Sequence, residues 1–272
     1  MVTRRVLSFI GAALGIGAYG LGVRRDVTLD NLRHAYPAWS ESEVRKVARA
    51  SFGNLGRVFL EMLYLRYARR QSILSGLTYT NLEAFDHAEH ALKGSIVLSG
   101  HLANWEWLAL ATGLHLNVPL LIVVKNQRTG VVENFLNTMR RRFGNGLVNA
   151  GDVRGIYRAM DRGELIAILG DQAATPDTVR VPFFGREVPT FEGVARLALR
   201  SRVPIILLEC WRQNGRYLAA MHRIDYDDIV GTGPEAIAEL TRRHTALLES
   251  IIRKRPELWL WQHKRWKHVA TS

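Results

Sequence analysis

Apolar positions along the chain follow two different periods. Between residues 44 and 63 they recur every three or four positions, as on one face of a helix, and Ser40 with Glu43 resembles a capping box at its start. Short apolar runs then alternate with stretches of helical period. The runs predict strands at Ser95–Ser99, Leu120–Val124, Leu165–Leu169, Ile205–Glu209 and Tyr217–His222. The helical stretches predict helices at about 82–92, 104–115, 131–142, 152–161, 191–201 and 234–253.

This alternation predicts an α/β fold, in which helices flank a layered, mixed and largely parallel sheet. An apolar helix and a helical hairpin region precede it. Residues 6–23 carry no charge and lie between two arginine pairs, and eighteen residues is the lower limit for a membrane span. Five glycines weaken the stretch as a helix. It therefore predicts a membrane-inserted or interfacial anchor, with a buried helix and a cleaved signal peptide as alternatives.

The charge of the chain is concentrated at its two ends. The 37 basic and 25 acidic residues give a net charge of +12. Residues 1–70 hold 12 basic and 5 acidic residues, and residues 253–272 hold 6 and 1, whereas the middle is neutral. Such ends imply an anionic partner: nucleic acid, anionic lipid, an acidic protein or a phosphorylated substrate. A single cysteine, Cys210, excludes an internal disulfide framework and a cysteine-cluster metal site.

The stretch SGHLANWE, residues 99–106, carries the candidate chemistry. It follows a predicted strand, so that His101 lies in the turn and Glu106 in the first turn of the next helix. A carboxylate can then hold the imidazole by one ring nitrogen and leave the other as a general base. Ligands of open α/β sheets also bind at the carboxyl ends of strands. The alternative is that His101 caps the helix and that Glu106 only interacts favourably with the positive N-terminal end of the helix dipole.

The same stretch resembles the HxGNWE form of the H-x4-D/E motif, with Ala103 in place of the glycine. Five further motifs resemble those of one family in the same order, over about residues 20–268. They are RRDV through NL and AYP at 24–37, SFGNLG at 51–56, GDQ at 170–172, VPFFG with Thr190, and PE through WQHKRWK at 256–267. The family is that of the bacterial lipid A late acyltransferases, within the lysophospholipid acyltransferase superfamily.

The resemblance implies transfer of a fatty acyl group from a thioester, either acyl carrier protein or CoA, to a hydroxyl of a phosphorylated membrane glycolipid. The first choice of acceptor is a lipid A precursor, and the alternatives are a phosphatidylinositol mannoside and a lysophospholipid. His101 would remove the hydroxyl proton with Glu106 as its dyad partner, without an acyl-enzyme, a metal or a cofactor besides the thioester. The expected place is the inner membrane, with the catalytic domain facing the cytoplasm.

Further residues have expected roles in this scheme. The helix start at Asn104, Lys125 where the family has arginine, and nearby Arg128 are candidates for stabilising an oxyanion or binding a substrate phosphate. Candidates for supporting the site or lining an acyl pocket are Asp171, Gln172, Phe183, Phe184 and Thr190. The C-terminal candidates for binding lipid or donor are His263, Lys264, Arg265 and Lys267, interleaved with tryptophans suited to a bilayer interface.

The expected organisation is an anchoring or interfacial segment at 1–25 and one acyltransferase domain at 26–272. A different class of function, a basic nucleic-acid-binding protein, would also use basic residues interleaved with tryptophan. The neutral middle of the chain and the lack of a known nucleic-acid-binding motif in the sequence argue against it. The arginine run at 140–142 predicts a solvated face or, alternatively, a phosphate contact.

Overall fold

A computed structural model describes residues 4–86, 90, 93–125 and 130–269. The helices are α1 (Arg4–Gly20), α2 (Arg25–Ala35), α3 (Glu41–Leu65), α4 (Arg70–Gly76), α5 (Trp105–Leu116), α6 (Gly130–Arg140), α7 (Val153–Asp161), α8 (Gly193–Ser201) and α9 (Pro234–Lys254). The strands are β1 (Leu77–Tyr79), β2 (Ser95–Ser99), β3 (Leu120–Val124), β4 (Gly146–Asn149), β5 (Leu165–Leu169), β6 (Arg180–Phe183), β7 (Arg186–Pro189), β8 (Ile205–Gln213) and β9 (Arg216–Ile224).

Seven of these strands form one mixed sheet in the order β1-β9-β8-β2-β5-β3-β4. Every pair is parallel except the β8–β9 hairpin. All five residues of the central strand β2 are buried, because helices cover both faces of the sheet. Helices α7, α8 and α9 pack on one face, and α4, α5 and α6 pack on the other. The α/β fold expected from the sequence is confirmed.

The predicted elements agree with the structure where the apolar pattern is long. All five predicted strands are present, and β8 and β9 extend further as a hairpin. The capping box at Ser40 and Glu43 is also present. Four strands of three or four residues, β1, β4, β6 and β7, carried too short a pattern to be recognised. In the described part of the helix expected at 82–92, Leu82–Ala84 form a 3-10 turn and His90 is helical, while residues 87–89 and 91–92 lie outside the described residues.

The apolar N-terminal segment is helical and packs on α3. A Cβ atom built on Gly15 would lie 2.0 Å from the backbone oxygen of Phe52, and one on Gly56 would lie 2.0 Å from that of Gly11. The glycines therefore permit the two helix backbones to approach closely. Among the described residues, no single helix is both long and apolar enough to cross a bilayer. Only α1 and α2 together, bent by 90° at their junction, reach that length and composition.

The C-terminal tryptophans are not at the surface. Trp259, Trp261 and Trp266 are buried and pack edge-on or stacked against Phe183 and Phe184. The expectation that they face a bilayer or stack nucleic-acid bases was therefore wrong. The physical reason is that the segment after α9 folds back over the carboxyl ends of β2 and β5, where its rings complete the core on the α9 side.

Candidate active site

The catalytic candidate His101 lies in the turn that links β2 to α5. Gly100 comes directly after the strand, and a Cβ there would lie 3.1 Å from a carboxylate oxygen of Asp171. Glycine thus allows the carboxylate of the loop after β5 to reach the turn. Ala103 closes the turn with φ at 45°, a left-handed conformation that costs an L-residue about 1 kcal/mol or more. The family's usual glycine would adopt it freely.

Asp171 holds His101 at two points. Its Oδ2 accepts a hydrogen bond from the His101 backbone N–H at 2.7 Å, and its Oδ1 lies 2.7 Å from Nδ1 of the ring. Because a carboxylate only accepts hydrogen bonds, Nδ1 carries the proton and Nε2 keeps its lone pair in the neutral ring. The indole N–H of Trp259 donates to Oδ2 at 2.8 Å. The ring nitrogen Nε2 therefore keeps a lone pair that can act as a base, and the amide of Gln172 donates a long hydrogen bond of 3.4 Å to it.

The charge of Asp171 is stabilised although its side chain is buried. Burial alone would raise the pKa of this carboxyl. The charge of protonated His101 and hydrogen bonds from His101 and Trp259 outweigh burial and lower the pKa to about 2. Asp171 is therefore ionised at neutral pH and stabilises a positive charge on the imidazole.

Glu106 has a different partner from the one expected. Both of its carboxylate oxygens accept hydrogen bonds from Arg140 at the end of α6, with Oε2 2.9 Å from Nε. The expectation that Glu106 holds the imidazole named the wrong carboxylate, because Glu106 points toward α6 while Asp171 reaches His101 from the neighbouring strand. Burial lowers the pKa of Arg140, but hydrogen bonds and attraction from Glu106 raise it overall. The result is a partly buried ion pair beside the histidine.

A cavity of about 210 Å³ lies between α5 and the sheet. Its walls are mainly apolar and come from alternate positions of the central strands and from the inner face of α5, namely Val97, Leu120, Ile122, Val124, Ala167, Leu208, Leu108 and Ala109. The polar residues that line the same cavity are His101, Glu106, Lys125, Arg140 and Gln172. An apolar chamber with a few convergent polar groups suits a ligand that has a long apolar part and one reactive polar group.

Other predicted residues take varied places around this cavity. Gln172 has its Nε2 3.4 Å from Nε2 of His101, and Lys125 is exposed at the end of β3. The side chain of Asn104 is fully buried and caps α5, so it does not face a substrate. At this helix start the candidates for oxyanion donors are therefore backbone N–H groups and not the Asn104 side chain. Arg128 lies outside the described residues.

Phe183, Phe184 and Thr190 do not line the cavity. Both phenylalanines are buried in the aromatic core on the α9 side of the sheet. Thr190 is also buried, and its hydroxyl accepts a hydrogen bond from Arg265 at 2.8 Å. Their expected place in an acyl pocket was wrong, because the β6–β7 hairpin that carries them packs against α9 and the C-terminal segment, away from α5.

The basic C-terminal residues divide into two groups. Arg265 is 2% exposed and donates to the backbone oxygen of Pro189 at 2.8 Å. His263 accepts a hydrogen bond from the N–H of Ala173 at 3.0 Å, and burial lowers its pKa to about 4. His263 therefore supports the loop after β5 and Arg265 supports the end of β7, so the expectation of a lipid-binding tail was wrong for both. Lys264 and Lys267 are exposed.

The C-terminal segment also explains motifs to which the sequence assigned no role. The backbone oxygens of residues 258–263 accept hydrogen bonds from side chains of α2 and α3, and Leu258 also accepts from the N–H of Ala103 in the catalytic turn. The donors are Asn31, Ser51 and Asn54. Sequence reasoning missed Arg140 and Trp259 as parts of the site, and the only signal for either was its place in a motif or in a charge run.

Among the residues that the structure covers, no group of three or more His, Cys, Asp or Glu side chains is placed to hold a metal ion.

Comparison with known proteins identifies the family. A sequence profile described as "Bacterial lipid A biosynthesis acyltransferase" matches residues 1–268. The chain belongs to this family.

Two relatives of the family illustrate its activity. The chain is similar to a lipid A biosynthesis palmitoleoyltransferase of Escherichia coli (strain K12) and to a lipid A biosynthesis acyltransferase of Shigella flexneri. Each is 22% identical over 265 residues, which cover 96% of this chain and 85% of the relative. Membership of the family makes the chain an acyltransferase and supports acyl transfer to a lipid A precursor.

Proposed function

We propose that this acyltransferase moves a fatty acyl chain from a thioester to a hydroxyl of a lipid A precursor, with His101 as the general base. One observation carries the proposal. Asp171 holds both the backbone and the protonated Nδ1 of His101, and His101 lines an apolar cavity in which an acyl chain can lie. Nε2 thus belongs to a ring of fixed tautomer and carries the lone pair of a base beside a chamber of suitable chemistry.

In the proposed reaction, Nε2 of His101 removes the proton from the acceptor hydroxyl while its oxygen attacks the thioester carbonyl. The tetrahedral oxyanion then collapses, the carbon–sulfur bond breaks, and the imidazolium returns the proton to the leaving thiolate. The negative charge of Asp171 stabilises the imidazolium between these two steps. All atoms and protons balance with the thioester as the only co-substrate, so no cofactor is proposed.

We propose that Arg140 and the backbone N–H groups at the N-terminus of α5 stabilise the oxyanion. Arg140 lines the cavity with a charge that Glu106 holds in place through two hydrogen bonds. A bidentate carboxylate pair orients a guanidinium more strictly than a single contact does. Glu106 therefore keeps a role in catalysis through Arg140, whereas the ring of His101 is held by Asp171. Lys125 also lines the cavity and remains a candidate for contacting a phosphate of either substrate.

The proposed route is direct and forms no acyl-enzyme. Cys210 is buried, and burial raises the pKa of its thiol to about 12. A thiolate nucleophile at this position is therefore strongly disfavoured at neutral pH. Either acyl carrier protein or CoA is a suitable donor, because both present the acyl group as the same thioester.

We also propose that one face of the N-terminal helices lies on a membrane. This face exposes large apolar side chains, namely Val6, Phe9, Leu14, Phe59, Leu63 and Tyr67. Exposed arginines, Arg5, Arg69 and Arg70, lie at its edge and suit anionic headgroups. The 17 residues of α1 measure about 25 Å, shorter than a bilayer core, and α1 is packed along α3. An interfacial segment at 1–25, a catalytic domain at 26–272 and a cytoplasmic face of the inner membrane fit this arrangement.

The test of this function is acyl transfer by purified protein. Labelled acyl carrier protein or acyl-CoA is offered with an under-acylated lipid A precursor, a phosphatidylinositol mannoside or a lysophospholipid, and products are identified by mass spectrometry. We expect the lipid A precursor to be acylated and His101→Ala to lose the activity while the protein still folds. The matched control is His34→Ala, which replaces a half-buried histidine in the last turn of α2. Turnover retained by His101→Ala would exclude the proposed base.

A further inference from the structure

A carboxylate that the proposed reaction does not use lies beneath the catalytic turn. Glu61 of α3 is completely buried. Its Oε2 accepts hydrogen bonds from the amide Nδ2 of Asn104 at 2.8 Å and from the hydroxyl of Tyr217 at 2.5 Å. Its other oxygen, Oε1, is buried and has no hydrogen-bond partner within the part of the chain that the structure describes. Burying a carboxylate is costly, so this arrangement calls for a physical reason.

The side chain of Asn104 is the link between this carboxylate and the site. Its Oδ1 accepts the N–H of Trp107 at 2.9 Å and thereby caps the N-terminus of α5. Because the carboxylate of Glu61 accepts only, the amide group can take one orientation, with Nδ2 toward Glu61 and Oδ1 toward the helix. Without that acceptor the amide could rotate, and the first turn of α5 would lose its cap.

That first turn connects the two halves of the site. His101 is three residues before Asn104, and Glu106 is two residues after it. Glu106 holds Arg140, and the N–H groups of this turn are the other donors assigned to the oxyanion. A small rotation of the start of α5 would move both relative to His101, which Asp171 holds independently. Geometry errors of this size weaken catalysis more than binding.

Resting on the function proposed above, we propose that Glu61 is a positioning residue for acyl transfer, acting through Asn104 on the first turn of α5. Tyr217 of β9 completes the arrangement. Burial and the negative charge of Glu61 raise the pKa of the Tyr217 hydroxyl well above the usual value, so that this hydroxyl stays protonated and donates. The Tyr217 ring packs on Trp107, with the ring centroids 5.7 Å apart. The carboxylate thus fastens α3 and β9 to the catalytic turn.

The experiment is a double-mutant cycle on acyl transfer. Glu61→Gln keeps one acceptor oxygen, and we expect it to retain most of the activity. Glu61→Leu removes both oxygens, and we expect kcat to fall about 10- to 100-fold with the KM for the acyl donor unchanged, since removal of single orienting groups has effects of this order. In an Asn104→Ala background the same Glu61→Leu change should lower kcat by less than about twofold, because the link is already broken. An undiminished effect in that background would overturn the proposal.

A matched control and a second readout separate this role from plain stability. Tyr226→Phe removes a buried tyrosine hydrogen bond to a backbone oxygen far from α5, and should lower stability without changing kcat. If Glu61→Leu does not fold, the same cycle is run with Tyr217→Phe.

Hydrogen exchange at the Trp107 amide tests the proposal even if the proposed reaction fails in the unsubstituted protein. Glu61→Gln should leave this amide protected, and Glu61→Leu should speed its exchange more than that of amides in β8. Equal changes at both places would contradict positioning and indicate a general loss of stability.

Discussion

Replacing Asp171 with asparagine tests the hydrogen bond that distinguishes this site from the one expected from the sequence. Asparagine has the same shape but no charge, and it can offer an N–H to Nδ1 where the carboxylate only accepts. The imidazole would then favour the tautomer with its proton on Nε2, which cannot act as the base. Asp228→Asn, which removes a charge from an exposed ion pair with Arg243, is the control.

The size of the effect follows from the pKa of Asp171. Its fall from 3.8 to about 2 means that the site favours the carboxylate over the neutral acid by about 2.5 kcal/mol. Losing a net stabilisation of this size in the transition state would slow the reaction about 10²-fold. In the serine-protease triad, the corresponding Asp→Asn change also fixes the wrong tautomer of the catalytic histidine and lowers kcat about 10⁴-fold. We therefore expect kcat to fall between about 10²- and 10⁴-fold.

The assay is the rate of acyl transfer at saturating donor and acceptor, with thermal unfolding as a second measurement. The folded pKa of Asp171 lies below the unfolded value near 3.8, so its contribution to stability is present above about pH 4 and is lost as the pH falls through about 2. The free energy of unfolding of the unsubstituted protein should therefore approach that of the Asp171→Asn variant as the pH falls from about 4 to about 2. A variant with kcat within threefold of the unsubstituted enzyme would refute the assignment of Asp171.

Three further predictions concern the same framework. Glu106→Gln should lower kcat at least about 100-fold, because Arg140 loses the anion that orients it toward the oxyanion. It should also destabilise the fold by about 3–5 kcal/mol, because the guanidinium stays partly buried without its partner; near-normal transfer by the folded fraction would exclude the ion pair from the reaction. Trp259→Phe should raise the pKa of Asp171 and slow transfer about tenfold, since it removes a hydrogen bond to a charged group, and an unchanged acid-unfolding curve would contradict this. Gly15→Ala should destabilise the fold by about 1–3 kcal/mol in thermal unfolding, whereas Gly17→Ala, with open space around it among the described residues, should not.

The local structure of the site could be predicted from the sequence because its determinants are local. The apolar run of β2, the glycine after it and the helical period from residue 104 place His101 in a strand-to-helix turn whatever the rest of the chain does. The choice of carboxylate was not predictable, because Asp171 is 70 residues away from His101 and reaches it only through the parallel pairing of β2 with β5.

The C-terminal segment is a second case in which the sequence alone could not predict the surroundings of the side chains. Basic and aromatic residues in alternation have the composition of an interface, and nothing local distinguishes a tryptophan that faces lipid from one that fills a core. Packing against the β6–β7 hairpin decides it: Arg265 and the three tryptophans are buried, and only Lys264 and Lys267 remain outside.

The sequence by itself determined the elements with a long apolar pattern, the catalytic turn and, through motifs in the right order, the family. Only the tertiary structure decided which side chains meet. It brought Asp171 and Trp259 to His101, paired Glu106 with Arg140, and placed Glu61 beneath Asn104. The physical reason is that hydrogen bonds and ion pairs depend on distances of a few ångströms between residues far apart in the chain. Those distances are fixed by strand order and helix packing, which no local pattern encodes.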